Sequence, residues 1–217
     1  VQTGGVLSAK LIDPAGNESP SSATVSLTVD YTPPTVTIAS TRSTFVAGQD
    51  ATVTFTLSEN ATDFTVDDVT AVGGALSNFT GSGKVYTARF VPTANTVVSG
   101  SLTVSAGRFK DPLGNGNTAG TLALAIDTQY PSVEYVKSQT NNGSYKAGTP
   151  IDVTVHFNKA VFASTGGGTP SLVLETGAAD AVASYVSGSG SSDLVFRYTV
   201  ADGEASTDLD YQSTSAL

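Results

Sequence analysis

The stretch Ala51-Thr-Val-Thr-Phe-Thr-Leu57 alternates apolar and polar residues without a break. Because successive side chains of a β-strand point to opposite faces, Val53, Phe55 and Leu57 line one face and the threonines line the other. Valine and threonine are also enriched in strands. The stretch therefore predicts a half-buried strand of a sheet.

The same alternation recurs along the chain, at intervals of roughly 8–12 residues with Gly, Asn or Pro between the segments. The clearest further cases are Val25/Leu27/Val29, Leu102/Val104, Leu122/Leu124/Ile126, Ile151/Val153/Val155/Phe157 and Leu194/Phe196/Tyr198/Val200. No window carries apolar residues at helical spacing. The chain is predicted to be all-β.

An internal repeat of about 97 residues organises these strands. The segment Leu11 to Asp30 recurs as Phe109 to Asp127, and both copies contain the motif D-P-x-G-N. Two more correspondences join residues 45–55 to 145–157 and residues 81–90 to 188–198. A repeat of this length is a domain that buries its own core, not a short solenoid unit.

The repeat length predicts the fold and the division of the chain. About seven short antiparallel strands in about 97 residues indicate a two-sheet sandwich of immunoglobulin type. We therefore expect tandem immunoglobulin-like antiparallel β-sandwich domains in an extended array. The predicted parts are the C-terminal part of a preceding repeat in 1–30, a complete repeat in 31–127 and a repeat lacking its last strands in 128–217.

Composition excludes several functional classes. The 217 residues include no Cys, Met or Trp and a single His, and the net charge is −9. Disulfides, cysteine-bound zinc and thiol catalysis are therefore excluded, and an acidic chain lacks the basic surface that nucleic-acid binding requires. No apolar run reaches the 18 residues of a membrane helix. With no starting Met and no leader, we expect a segment of a longer polypeptide.

Longer motifs carry a resemblance to a known family. In the complete repeat they are DYTPPTVTI (30–38), FTLSEN (55–60), FTVDDVTAVGG (64–74), SNFTGSGKVYTARFVPTA (77–94) and FKDPLGN (109–115). In the last repeat, TPSLVLETG, YVSGSGSSDLVFRYTV and STDLDYQSTSAL match a sister repeat type. With these motifs the chain resembles the bacterial immunoglobulin-like tandem repeats of large secreted or surface adhesins and biofilm-associated proteins.

The resemblance implies a function and a location. Such repeats are non-enzymatic spacers, outside the cell or on the bacterial cell surface, which hold distal adhesive modules away from the cell. Their partners are the neighbouring repeats of the same chain, while a host, matrix or glycan ligand is bound elsewhere in the full protein. The alternatives are a carbohydrate- or protein-binding adhesive module and accessory domains of a secreted hydrolase.

Polar residues of the complete repeat predict a cation site. The D-P-x-G-N motif has the residues of a type I turn. If this turn joins the last two strands of the sandwich, it shares one pole with the first strand and with the loop after the second strand. The residues expected to meet there are Asp30, Glu59, Asn60, Asp111 and Asn115. Their oxygens suit Ca²⁺, and the resemblance implies calcium at domain junctions; the alternative is a plain turn with surface acids.

The other two parts of the chain depart from this pattern. In the last repeat Lys159 occupies the position of Glu59, and its ammonium would oppose a cation near Asp127. In the first part Asp13 and Asn17 are present, but the counterparts of their partners would precede Val1. We expect a complete set of ligands only in the middle repeat.

The remaining acids and the histidine are predicted to have no special chemistry. Asp202, Glu204, Asp208 and Asp210 lack the spacing of an EF-hand and indicate a solvated turn, as do Asp67 and Asp68. His156 falls on the polar face of its strand and is interpreted as an ordinary surface residue. Because no nucleophile elbow or phosphate-binding loop occurs either, the chain is predicted not to be an enzyme.

Tyrosines are the candidates for the rival sugar-binding function, since the chain has no Trp. Tyr31, Tyr130 and Tyr145 fall in predicted linkers or loops. The alternative interpretation, which we favour, is that Tyr31 and Tyr130 pack across domain junctions.

Overall fold

The computed structural model describes residues 2–177, 179–206, 209–213 and 215–217. Its strands are β1 (Gln2–Leu7), β2 (Val25–Val29), β3 (Val36–Ser40), β4 (Thr44–Phe45), β5 (Ala51–Leu57), β6 (Val69–Val72), β7 (Gly74–Ser82), β8 (Val85–Pro92), β9 (Val97–Val104), β10 (Gly120–Asp127), β11 (Val133–Ser138), β12 (Pro150–Val161), β13 (Ser171–Glu175), β14 (Ala181–Ser187), β15 (Ser191–Thr199) and β16 (Asp210–Tyr211). One 3₁₀ helix, Val66–Asp68, precedes β6. The predicted all-β class is confirmed. None of the described residues forms a helix that is long and apolar enough to span a bilayer.

The chain forms two compact units, residues 1–129 and residues 130–217. The first unit starts with the N-terminal hairpin, which we define as residues 2–29. In this hairpin β1 pairs antiparallel with β2. The first unit also contains the sandwich, which we define as residues 31–127.

The sandwich consists of two four-stranded sheets. The first sheet has the strand order β3-β5-β8-β7 and the second has the order β4-β10-β9-β6. All pairs are antiparallel except the parallel pair of β4 with β10. Two facing sheets with this order are the immunoglobulin-like arrangement that the sequence predicts.

The core of the sandwich lies between the two sheets. Along β5 the residues Val53, Phe55 and Leu57 are at most 2% exposed, as the alternation predicts, while the threonines lie on the outer face. Phe64, which precedes the 3₁₀ helix, packs its ring 5.0 Å from those of Tyr86 and Phe109. These aromatic contacts join the first sheet to the loop between β9 and β10.

The C-terminal unit, defined as residues 130–217, is a single antiparallel sheet in the described residues, with the order β11-β12-β15-β14-β13-β16. Its first four positions repeat the order β3-β5-β8-β7 of the sandwich. Residues Ile151, Val153, Val155 and Phe157 of β12 are buried, which confirms the alternation predicted there. Leu172 and Leu174 of β13 belong to the same core.

Candidate metal centre

The D-P-x-G-N motif of the sandwich forms a compact turn between β9 and β10. Oδ1 of Asp111 accepts hydrogen bonds from the backbone N–H groups of Leu113 (2.9 Å) and Asn115 (2.8 Å). Oδ2 of Asp111 accepts a bond of 2.8 Å from the Asn115 side-chain amide. Gly114 donates its N–H to the Asp111 carbonyl at 3.1 Å and has φ of 94°, a conformation that favours glycine. The hydrogen-bond donors that fix the Asp111 carboxylate thus come from the five-residue motif itself.

The same five-residue turn occurs in the N-terminal hairpin with matching geometry. Oδ1 of Asp13 accepts from the N–H groups of Ala15 (2.9 Å) and Asn17 (2.8 Å), and Oδ2 accepts from the Asn17 side chain at 2.8 Å. Gly16 has φ of 89°. Since the surroundings of the two turns differ, the turn geometry follows from its own sequence.

Three carboxylates converge at the pole of the sandwich. Asp30 directly follows β2, Glu59 lies in the loop after β5, and Asp111 belongs to the turn between β9 and β10. One carboxylate oxygen of each lies within 4.8 Å of the other two. In the described part of the chain this is the one group of three or more potential metal-binding side chains. We refer to these three residues as the carboxylate cluster.

Asn115 connects the D-P-x-G-N turn to Asp30, the residue that links β2 to the sandwich. Its side-chain amide donates to the Asp30 carbonyl oxygen at 2.9 Å and also to Asp111. The Asp30 side chain in turn accepts the Thr32 N–H at 3.0 Å. Asn115 therefore cross-links two members of the carboxylate cluster as a hydrogen-bond donor.

Hydrogen bonding favours the charged form of Asp111 within the cluster, against the opposing effect of burial. Asp111 is 3% exposed, whereas Asp30 and Glu59 are partly exposed. The hydrogen bond from the Asn115 amide is the main cause that lowers the pKa of Asp111 below its ordinary value of 3.8, and backbone N–H donors add to it. The cluster thus contains a buried acid that stays ionised at neutral pH.

The donor set fits a hard divalent cation. Ca²⁺ binds oxygens at 2.3–2.6 Å, so two oxygens on one ion can be at most about 5 Å apart. The 4.8 Å limit among the cluster oxygens satisfies this condition for all three carboxylates. Oδ2 of Asp111, which accepts one hydrogen bond from Asn115, keeps a lone pair that a cation can use. Three carboxylates at one point also repel one another, and a cation removes that repulsion.

Asn60 has a different neighbour. Its side-chain oxygen lies against the turn between β7 and β8, where a Cβ added to Gly83 would meet it at 3.2 Å. Asn60 therefore remains a prediction as a ligand, whereas the other four predicted residues are in one place.

The fold and the position of the cluster agree with one family. Residues 30–126 match the model of a bacterial Ig-like domain. The predicted resemblance to bacterial immunoglobulin-like repeats is confirmed for these residues. The matched range begins at Asp30 and includes Glu59 and Asp111, so the whole carboxylate cluster lies inside it. Comparison with curated proteins and with solved structures gave no match. The bacterial Ig-like domain is a non-catalytic domain type.

Asn117 of the Ig-like domain is a structural residue that the sequence analysis missed. Its Oδ1 accepts the N–H groups of Arg108 (2.7 Å) and Phe109 (3.0 Å), and its Nδ2 donates to the carbonyls of Ser105 (3.0 Å) and Thr118 (2.7 Å). The side chain is part of a residue only 3% exposed. Asn117 therefore fixes the loop that carries Asp111. Its partners are backbone groups, which every residue carries, so the sequence does not indicate these contacts.

The acid pair near β6 has a local structural role. Thr65 donates its N–H (2.8 Å) and its hydroxyl (3.2 Å) to Asp68, which caps the 3₁₀ helix Val66–Asp68 of the Ig-like domain. Asp67 is exposed. Neither belongs to the carboxylate cluster.

In the acidic group of the C-terminal unit, Glu204 stabilises a turn through hydrogen bonds. Glu204 accepts hydrogen bonds from the Tyr198 hydroxyl and from the Ala201 N–H (2.7 Å). Burial, together with the Glu204 carboxylate, raises the pKa of Tyr198 to about 12. Asp210 accepts the Tyr211 N–H at 2.8 Å. Asp208 lies outside the described residues.

His156 has more specific surroundings than the sequence analysis assigned to it. Its Nδ1 lies 2.5 Å from Asp193 Oδ1 on β15, and its Nε2 lies 3.6 Å from Glu134 Oε2 on β11. The ring stacks on Tyr135 with centroids 4.5 Å apart, and the side chain is 22% exposed. Its three neighbours lie on adjacent strands, so only the strand register reveals them.

The tyrosines named as sugar-binding candidates are accessible to different degrees. Tyr31 is 85% exposed, Tyr130 is 69% exposed and Tyr145 is 38% exposed. Packing of Tyr31 and Tyr130 across domain junctions stays a prediction. The hydroxyl of Tyr145 donates to the Asn141 carbonyl and closes its own loop.

Proposed function

We propose that this chain is a segment of a non-enzymatic spacer in a large bacterial cell-surface or secreted adhesin, built from tandem Ig-like repeats. The spacer holds distal adhesive modules away from the cell. We further propose that Ca²⁺ at the carboxylate cluster stiffens the link into the sandwich. The observation that carries this proposal is that the cluster joins the link residue Asp30 to two loops of the bacterial Ig-like domain.

The link into the sandwich is already restrained by the chain. Pro33 and Pro34 restrict the backbone, and Pro34 is fully buried. The Pro34 carbonyl accepts the Thr118 N–H at 2.9 Å, and Asn115 binds the Asp30 carbonyl at 2.9 Å. These contacts position the backbone at both ends of the five-residue segment 30–34.

Calcium would bring two positive charges to the carboxylate cluster. In its absence the three carboxylates of the cluster repel one another, and this repulsion favours movement of Asp30 away from the two loops. When the ion is bound, Glu59 and Asp111 hold Asp30 through a shared cation. The residues of this chain thus position three negatively charged carboxylates, and the bound ion would hold the three together.

An extracellular location agrees with several properties of the chain. Bacterial Ig-like domains are typical of extracellular and surface proteins. Extracellular modules bind calcium with Kd values of about 10⁻⁴–10⁻³ M, an affinity that suits a structural ion outside the cell. The neighbouring Ig-like repeats of the same polypeptide are the proposed partners, with the adhesive ligand bound by another part of the protein.

Calorimetric titration with Ca²⁺ tests the proposed site. We expect one site per chain in the wild type and its loss in Glu59→Gln, which removes one charge and keeps the side-chain size. At a hundredfold excess of Ca²⁺ over its Kd, binding should stabilise the sandwich by about 2.7 kcal/mol. Asp67→Asn, an exposed acid of the same domain outside the cluster, is the matched control and should bind like the wild type. Equal binding by Glu59→Gln and wild type, or no heat at millimolar Ca²⁺, contradicts the proposed site.

A glycan-binding module is the second candidate, favoured by one observation. The aromatic rings of Tyr31 and Phe162 are 85% and 84% exposed, as residues of sugar-binding surfaces are. A glycan array probed with the full chain separates the two functions. The spacer function predicts no bound glycan, whereas a signal that Tyr31→Ala or Phe162→Ala abolishes would favour the binding module.

A further inference from the structure

The single histidine of the chain lies on the outer face of the C-terminal sheet, between two carboxylates. Its neighbours along β12, Val155 and Phe157, are buried, whereas the His156 side chain is 22% exposed. Nδ1 of His156 lies 2.5 Å from Oδ1 of Asp193 on β15. Nε2 lies 3.6 Å from Oε2 of Glu134 on β11. Each ring nitrogen thus has a carboxylate from a different neighbouring strand beside it.

A β-bulge in β11 contributes Glu134 to this group. Val133 pairs with Phe157 and Tyr135 pairs with His156, so Glu134 is an extra residue between the two pairs. The corresponding strands of the sandwich, β3 and β5, pair without such a shift. Bulges re-aim side chains and are over-represented next to functional sites. The bulge therefore distinguishes the C-terminal unit at the point where its histidine lies.

The sandwich shows that this type of sheet forms without the ionisable group. In the same strand order, Thr56 takes the place of His156, and it pairs with Val85 where His156 pairs with Asp193. Thr56 is also exposed, although both sheets of the sandwich are present. The outer face is thus open in the complete fold as well, and the fold does not require a histidine or an acid there.

Asp193 determines which nitrogen of the neutral ring keeps a lone pair. An ionised carboxylate only accepts hydrogen bonds, so the ring proton belongs on Nδ1 and is donated to Asp193. Nε2 then has a lone pair beside the Glu134 carboxylate, at a distance too long for a hydrogen bond. Histidines that bind metals show this arrangement, in which the second ring nitrogen donates its proton to a carboxylate.

The distance between Nε2 and Oε2 fits one zinc ion. Zn²⁺ binds imidazole nitrogen at about 2.0–2.1 Å and carboxylate oxygen at about 2.0–2.2 Å, so two such atoms in tetrahedral geometry lie about 3.4 Å apart. The observed separation between His156 and Glu134 is 3.6 Å. Ca²⁺ selects oxygen ligands instead. This pair of ligands therefore suits a different ion from the carboxylate cluster.

We propose that His156 and Glu134 bind a divalent transition-metal ion, for which Zn²⁺ has the fitting geometry, and that Asp193 orients the imidazole. Water can complete the coordination, because the side chains of Glu134 and Asp193 are 54% and 53% exposed. These two acids bring two negative charges, against one positive charge on Lys137, whose Nζ lies 4.9 Å from the centre of the Tyr135 ring. The ion would join β11 to β12 in the C-terminal unit.

NMR of the full chain tests this proposal directly, because all imidazole signals come from one residue. Long-range ¹H–¹⁵N correlation should be recorded with calcium present at about pH 7.5, where unperturbed imidazoles are neutral. A small molar excess of Zn²⁺ should shift the Nε2 resonance of His156 and leave its proton on Nδ1. Unchanged imidazole signals at millimolar Zn²⁺ overturn the proposal, as does a metal-bound Nδ1.

Calorimetric titration with Zn²⁺ in the presence of calcium tests the contribution of each residue. His156→Gln should abolish this binding, and Glu134→Gln and Asp193→Asn should each weaken it about tenfold or more. Asp202→Asn, at an exposed acid of the same unit, is the matched control and should bind like the wild type. Glu59→Gln should also keep the zinc site, so failure of the calcium site leaves this test intact. Binding of wild-type strength in His156→Gln or Glu134→Gln contradicts the proposed ligands.

Discussion

Replacement of Asn117 by alanine should destabilise the sandwich, although the residue lies in a loop. The Asn117 side chain makes four hydrogen bonds to backbone groups between residues 105 and 118. After truncation, the carbonyl of Ser105 and the N–H of Arg108 can bind water because both residues are exposed. Phe109 is 0% exposed, so its N–H would lose its partner inside the core.

The expected size of the effect follows from these contacts. A buried polar group left without a partner, here the Phe109 N–H, costs about 1–3 kcal/mol of folding free energy. Each of the other lost hydrogen bonds costs about 0.5–1.5 kcal/mol, and bonds to water offset part of that loss. We therefore expect a loss of about 2–4 kcal/mol in the free energy of unfolding of the sandwich. For a domain of this size, that lowers the unfolding midpoint by about 10–20 °C.

The N-terminal hairpin suggests a milder replacement. At the position corresponding to Asn117 it has Ser19, whose hydroxyl accepts the Leu11 N–H at 2.9 Å. Asn117→Ser should keep the bond to the Phe109 N–H and cost less than Asn117→Ala. Asn142→Ala, in an exposed loop of the C-terminal unit, is the control.

Urea unfolding followed by circular dichroism and tyrosine fluorescence measures these effects. Because the chain has two compact units, Asn117→Ala should move the transition of the sandwich and leave that of the C-terminal unit in place. If Asn117→Ala unfolds within about 0.5 kcal/mol of the wild type, the usual range for surface changes, the loop does not depend on this side chain and the reasoning is refuted.

Three further predictions concern charged groups and tyrosine. Because the pKa of Asp111 is lower in the folded chain than the ordinary 3.8, ionised Asp111 stabilises the fold at pH values above about 4, and this contribution is lost as the pH falls further. Acid titration of the unfolding midpoint should therefore show a smaller loss in Asp111→Asn than in the wild type. The pKa of Tyr198, about 12, exceeds its ordinary value of 10.0. Its contribution to stability is therefore complete below pH 10 and lost toward pH 12; ultraviolet titration should show one late tyrosine, which ionises earlier in Glu204→Gln but still above 10 because burial remains. Arg197 and Asp152 form a half-exposed bidentate pair with bonds of 2.7 Å, so Arg197→Ala should cost less than about 1 kcal/mol in urea unfolding; a loss of several kcal/mol would contradict this.

The sequence predicts those features that depend on short segments. The strand alternation of Ala51 to Leu57 and of Ile151 to Phe157 translates directly into burial, because a strand has only two faces. The D-P-x-G-N turn is equally local, since Asp13 and Asp111 make the same bonds in different surroundings. The meeting of Asp30, Glu59 and Asp111 follows from the topology of a sandwich, in which the three segments share a pole.

Features that depend on side-chain contacts between distant segments were not predictable from the sequence. The surroundings of His156 require the register of β12 with both β11 and β15. The role of Asn117 requires knowledge of which backbone groups the loop leaves inside the core. The exposure of Tyr31 depends on how the link leaves the hairpin, which no residue pattern specifies.

Small-angle scattering of the full chain with calcium and with a chelator tests the central claim most directly. It should be recorded at a concentration where sedimentation shows a single species. If calcium at the carboxylate cluster stiffens the link at Asp30, the maximum dimension should increase with calcium in the wild type and stay at the chelator value in Glu59→Gln. A wild-type maximum dimension and melting temperature that are the same with calcium and with chelator would contradict the proposed role of the cluster.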